Sequence, residues 1–105
     1  MTEAVLVITT AGKESEAQKI AQELVKRRLA ACVNIVPRIQ SVYRWEGKVE
    51  TAEEYLLLIK TTKTHTAEVQ AAIQELHSYD LPEFVVIEMK GDSAEYLKWI
   101  EDSVG

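Results

Sequence analysis

Hydrophobic positions along this chain switch between two periods. Val5, Leu6, Val7 and Ile8 form a short continuous apolar run, which reads as a buried strand. Ala11-Gly12-Lys13-Glu14 breaks it. Ala17, Ile20, Ala21, Leu24 and Val25 then recur at threes and fours, one face of a helix. Ser15 with Gln18 three residues on is a capping-box pattern for its start. Lys26, Arg27 and Arg28 supply cations to its last turn. Cys32 to Trp45 reads as a long strand with Val33, Ile35, Ile39, Tyr43 and Trp45 on one parity, and Pro37 favours an edge or a bulge. Glu46-Gly47 is a tight turn, and residues 49–62 return as the second arm of a hairpin. Val69, Ala72, Ile73 and Leu76 mark a second helix. Residues 77–83 form a loop containing Pro82, and Phe84-Val85-Val86-Ile87 a further strand. Asp92 with Glu95 caps a final helix carrying Leu97, Ile100 and Val104 on one face.

The order is β-α-β-β-α-β plus a terminal helix. That is the ferredoxin-like α+β pattern, an antiparallel sheet with both crossover helices on one face. A bare second face should be polar at alternate positions. Val5-Leu6-Val7-Ile8, Leu56-Leu57-Leu58-Ile59 and Val85-Val86-Ile87 do not alternate, so both faces of the sheet are apolar. Such an open face is a liability in a monomer. Burying several of these side chains, at roughly 1.5–3 kcal/mol each, drives association. Tyr43 and Trp45, near a hairpin tip that would otherwise be polar, either join that contact or pack within the domain.

At 105 residues the chain forms one domain, residues 1–105. The net charge of -5 does not favour non-specific binding to nucleic acid or anionic membrane and leaves room for cations. Apolar runs of about five residues are far short of the roughly 20 that cross a bilayer. The start Met1-Thr2-Glu3 carries no signal-peptide pattern. Cys32 is the one cysteine, so no internal disulfide forms, which fits a reducing compartment. The expectation is a cytoplasmic protein.

Candidate chemistry is sparse. No CxxC pair, HExxH or EF-hand loop is present. Cys32 offers a soft ligand or nucleophile, or a small buried hydrophobe. His77 follows a helix, with Asp80 and Glu83 within six residues. Its imidazole can bind copper or zinc, or satisfy carbonyls at the helix end. His65 reads as a surface residue. Lys60 with Thr61 and Thr62 can hold an anion at a strand end, or is simply solvated. Arg38, Arg44 and Lys48 lie among Glu46, Glu50, Glu53 and Glu54, which predicts ion pairing. Glu53-Glu54 and Glu101-Asp102 are adjacent in sequence. Strand neighbours point to opposite faces, so Glu53-Glu54 is no acid/base dyad.

Five segments in order carry a resemblance: Leu29-Ala30-Ala31-Cys32-Val33-Asn34-Ile35-Val36-Pro37, Ser41-Val42-Tyr43-Arg44-Trp45-Glu46-Gly47-Lys48, Ile59-Lys60-Thr61-Thr62, His77-Ser78-Tyr79-Asp80-Leu81-Pro82-Glu83, and Tyr96-Leu97-Lys98-Trp99-Ile100. Together they resemble the CutA family of divalent-cation tolerance proteins. The resemblance implies a homotrimer with the sheets facing inward, a link to copper tolerance and a capacity for divalent cations. The family's histidine loop maps onto His77, Tyr79, Pro82 and Glu83, and its AACVN cysteine onto Cys32. The chain departs from the family at three places. Ser78 stands where proline is usual, Arg38 where glycine is common, and Thr9 and Thr10 where some members carry a metal-binding cysteine.

The expected function is therefore a non-catalytic homotrimer of divalent-cation tolerance. Its metal is copper, or zinc as the alternative, at His77, Cys32 and Glu83, and it needs no organic cofactor. A second reading is a PII-like trimeric regulatory module that binds a small anionic ligand between subunits at Lys60, Arg38, Trp45 and Tyr79. Two relatives in topology fit poorly. Acylphosphatases need a glycine-rich phosphate loop with an arginine, and residues 9–14 have one glycine and no arginine. RNA-binding RRM domains display stacking aromatics, where this chain has Val5, Val7, Leu56 and Leu58.

Overall fold

The computed structural model describes residues 3–91 and 93–105. Its elements run β1 (Ala4–Ala11), α1 (Glu14–Lys26), β2 (Cys32–Trp45), β3 (Lys48–Thr62), a 3₁₀ turn (Lys63–His65), α2 (Thr66–Leu76), β4 (Val85–Glu88) and α3 (Ala94–Ser103). The sheet has four strands in the order β2-β3-β1-β4, and every neighbouring pair is antiparallel. This is the ferredoxin-like arrangement that the element order predicts.

The core lies between the sheet and the helices α1 and α2. Val5 and Val7 of β1 and Leu57 and Ile59 of β3 meet Ile20 and Leu24 of α1 and Val69 and Ile73 of α2, all essentially without solvent contact. Fully burying each such side chain is worth about 1.5–3 kcal/mol. The opposite face carries Leu6, Ile8, Leu56 and Leu58, which are only partly covered. Val85 and Ile87 pair with Ile8 and Leu6, and are 45% and 44% exposed. Both faces are thus apolar, as the absence of alternation predicts. α3 packs against β3 and β1. Tyr96 of this helix lies beneath Lys60, whose neighbours in register are Leu6 and Cys32.

Helix ends depart from the sequence expectation. α1 begins at Glu14, its N-cap is Lys13, and no side chain caps it. Ser15 lies inside the first turn, so the Ser15–Gln18 box does not form. The acidic Glu14 and Glu16 of that turn complement the dipole instead. At the other end Arg27 is the C-cap and Arg28 takes a left-handed φ of 60°, letting Leu29 N–H reach Leu24 O at 2.9 Å. α3 is capped by Ser93, whose hydroxyl accepts from Tyr96 N–H at 3.2 Å. The capping assigned to Asp92 lies outside the described residues.

The long hairpin contains the main surprise. Pairing of β2 with β3 runs regularly to Val36↔Leu56 and resumes at Ile39↔Glu54. Three steps on β2 match two on β3, so one extra residue bulges out, and Arg38 adopts a φ of 57° there. A bulge of one residue moves every later side chain to the other face. Val33 and Ile35 therefore pack on the core, while Ile39, Tyr43 and Trp45 align with Glu54, Glu50 and Lys48 on the opposite face. The shared parity of these five residues does not hold across Pro37. At the tip Glu46 and Gly47 both have positive φ, 51° and 79°, the conformation that a two-residue hairpin turn requires.

Candidate functional site

The bulge turns the outer half of β2 toward the loop 77–83, and a cleft opens between them. The end of α2 sets the loop. His77 is its C-cap, with N–H bonded to Ile73 O at 2.9 Å. Its side chain is wholly buried. Nε2–H donates to Thr10 O at 2.6 Å, and Nδ1 accepts from Tyr79 N–H at 3.0 Å. These partners fix the tautomer. Glu16 completes the anchor. Its carboxylate accepts from Ser78 N–H at 2.7 Å and Ser78 Oγ–H at 2.9 Å, and lies 3.2 Å from His77 Nδ1. Ser78 thus supplies two donors that a proline at this position would lack.

Tyr79 packs its ring against His77, with centroids 4.6 Å apart. Its hydroxyl donates to Glu54 Oε2 at 2.8 Å. Glu54 is 7% exposed, so this bond satisfies a nearly buried carboxylate. Burial first, then the bond to Glu54 and its charge, push the Tyr79 phenol up to about 12. The approach is close because residue 12 is glycine. A Cβ there would stand 2.9 Å from the Tyr79 hydroxyl. Thr9, fully buried beneath the loop, donates Oγ1–H to Glu83 O at 2.6 Å, fixing the far end of the loop. Partial desolvation and the Glu54 charge hold the Glu83 carboxyl above its ordinary range. The cleft is about 720 Å³ in volume. Glu54, Asp80 and Glu83 line it together with Tyr43, Trp45 and Tyr79.

The residues singled out from sequence fall in separate places. Tyr79, Trp45 and Glu83 share the cleft. His77 lies behind it as an anchor. Cys32 pairs with Lys60, while Thr10, the partner of His77, pairs with Leu56. Four residues along β3 separate the two rungs, about 13 Å at 3.3 Å per residue. Cys32 is half-buried, its thiol 3.6 Å from Asn34 Oδ1. Lys60 lies over Tyr96, 5.6 Å from the ring centroid, and Arg38 is exposed at the bulge. Thr61 is buried and bonds to Leu29 O at 2.6 Å; Thr62 is buried too, its hydroxyl 2.7 Å from His65 Nδ1. Their hydroxyls are therefore spent inside the fold, and His65 is half-buried rather than a plain surface group. Glu54 does not join ion pairing with Arg38, Arg44 and Lys48. Among the described residues those three cations form no ion pair, and Arg44 Nη1 instead lies 3.5 Å from Gly47 O.

A copper or zinc site built on His77, Cys32 and Glu83 together does not fit the geometry of this chain. Both nitrogens of His77 are engaged, and Cys32 is remote. Among the described residues no three His, Cys, Asp or Glu side chains converge on one point, so a closed all-protein cage for copper or zinc is not built there. The functional residues that sequence reasoning missed are Glu54, Glu16 and Gly12. Their roles arise from contacts 25 to 67 residues apart, which no local spacing reveals.

Comparison with known proteins agrees with the fold. The model of the CutA1 divalent ion tolerance protein family matches residues 5–103. A divalent-cation tolerance protein CutA from Thermus thermophilus is 43% identical over 100 residues, 95% of this chain and 97% of that one. The crystal structure of CutA1 from Oryza sativa superposes with a TM-score of 0.96 at 38% identity, covering 99% of this chain and 95% of that chain. The structure of the periplasmic CutA of Archaeoglobus fulgidus gives 0.93 at 38% identity, covering 97% and 99%. The chain belongs to the CutA divalent-ion tolerance family.

Proposed function

We propose that the chain acts as a non-catalytic homotrimer in divalent-cation tolerance, and that it takes up cations at the cleft through the carboxylates of Glu54 and Glu83. One observation carries this reading. Glu54 and Glu83 face one cleft that Asp80 also lines, no Lys or Arg among the described residues lines it, and the Glu83 carboxyl is held above its usual range beside Glu54. A dication relieves that repulsion. Oxygen ligands suit hard ions such as Mg²⁺ and Mn²⁺ better than Cu²⁺. Two carboxylates leave such an ion most of its waters, the ordinary way of holding Mg²⁺.

The trimer is supported by the uncovered apolar face of Leu6, Ile8, Leu56, Leu58, Val85 and Ile87 and by the family resemblance. The half-exposed thiol of Cys32 suits a reducing compartment, hence a cytoplasmic location. An anionic ligand is disfavoured at the cleft, because three carboxylates line it while Lys60 and Arg38 lie elsewhere. Calorimetric titration of metal-free protein with Mg²⁺, Mn²⁺ and Cu²⁺ tests the reading, beside Glu83→Gln. Saturable Mn²⁺ binding that weakens at least about tenfold in the variant, about 1.4 kcal/mol, supports it. Binding unchanged in the variant sinks it.

A further inference from the structure

At the end of the sheet face beside α3, one charge stands among apolar groups. Lys60 follows Leu56 and Leu58 at the two-residue spacing that keeps one face. Its neighbours across the sheet are Leu6 and Cys32. Lys60 is already half-buried in the single chain, with its ammonium 5.6 Å from the centre of the Tyr96 ring. Among the described residues no carboxylate forms an ion pair with it. The Tyr96 hydroxyl outweighs burial and holds the lysine above its ordinary pKa, so the group stays a full cation. Association through this face takes the ammonium further from water. A buried charge is costly unless it is paired, and an aromatic face offers only part of the compensation. The other polar groups nearby are donors. A phenol oxygen that faces an ammonium keeps its own O–H to donate. Asn34 lies two residues beyond Cys32 on the same face of β2 and takes the thiol on Oδ1 at 3.6 Å, which leaves its amide N–H groups for an acceptor.

We propose that a small oxyanion, a carboxylate or a phosphate, binds between protomers against Lys60, with Tyr96 and Asn34 as further donors, and that the site is complete only when a neighbouring protomer covers it. The ammonium supplies the counter-charge, and the two neutral donors take the remaining oxygens. The covering protomer excludes water, and low local dielectric strengthens each contact. The site lies apart from the acidic cleft. Six residues of β3 separate Lys60 from Glu54, about 20 Å at 3.3 Å per residue, so the carboxylates there do not repel the anion at contact range. The inference rests on the trimer and not on cation binding at the cleft.

Calorimetric titration of the full chain with inorganic phosphate and with succinate, at constant ionic strength, tests this, and light scattering records the mass of each variant. The expected result is saturable binding of up to one anion per chain. It should weaken at least about tenfold in Lys60→Met and about tenfold in Tyr96→Phe. Binding of either anion with these losses supports the proposal, and the tighter of the two names the class. Lys60→Met places an apolar side chain on an apolar face, so that variant should stay trimeric and unfold at no lower temperature. Binding unchanged in Lys60→Met overturns the proposal, as does the lack of saturable binding for both anions. A Lys60→Met chain that then falls to the single-chain mass shows that the neighbouring protomer itself pairs the ammonium. A single-chain mass for the unaltered protein overturns the proposal together with the trimer, whatever Mn²⁺ does at the cleft.

Discussion

At the residue scale the loop 77–83 is a device for presenting Tyr79 and Glu83, and its parts make separate predictions. Tyr79→Phe removes the donor to the nearly buried Glu54. A hydrogen bond to a charged group is worth about 1.5–3 kcal/mol, so denaturant unfolding should show a loss of that order. Gly12→Ala pushes the Tyr79 hydroxyl aside and should lower stability in the same assay. Ser78→Pro keeps the extended φ and ψ of His77, -88° and 143°, which precede proline well. It nevertheless removes both bonds to Glu16, and a net loss of about 1 kcal/mol is expected. Glu83 sets a pH dependence. Its folded carboxyl binds protons more readily than in the unfolded chain. Stability therefore falls as pH rises from the ordinary carboxylate range, about 4.3, through the raised folded value. Glu83→Gln should raise the Tm at pH 7, and the gain should vanish at pH below about 4; thermal scans across pH check this.

At the element scale most of the fold was legible and one element was not. Helices α1 and α2 follow from apolar spacing, because tertiary packing needs one apolar stripe. β2 was bounded at Cys32 and Trp45 because the Glu46-Gly47 turn and the apolar run enclose it. The bulge was invisible in its consequence. Pro37 hinted at an irregularity, but the extra residue at Arg38 is a matter of counting against β3, which the sequence of β2 alone does not contain. The cleft follows from that count. Deleting Arg38 should restore continuous pairing with Ile39 still opposite Glu54, so Tyr43 and Trp45 keep their face of the sheet. Cross-strand contacts by NMR report it, with Tyr43 still opposite Glu50. Arg38→Gly keeps the bulge and its left-handed φ but removes the Cβ penalty of about 1–2 kcal/mol that an L-residue carries there. The chain should then be equally or more stable by denaturant unfolding.

At the scale of the whole molecule the sheet separates two jobs. One face makes the core with α1 and α2. The other carries α3 near Lys60, a partly covered apolar centre, and the cleft at the hairpin end. Light scattering should give three times the 11.9 kDa chain mass, and Leu58→Glu, at the centre of that face, should reduce it to the single-chain mass. Absence of alternation in β1, β3 and β4 announced this face, because apolar residues on both sides of a strand need cover on both sides. The cleft was not announced, since its carboxylates come from β3 and from a loop that meet only in the fold. Paramagnetic broadening of amide resonances by Mn²⁺ is the most direct test of the cation cleft. Broadening centred on Glu54, Tyr79 and Glu83, and reversed by Mg²⁺, is the predicted result. Broadening centred on Cys32 and Lys60, or none at saturating Mn²⁺, would contradict the account.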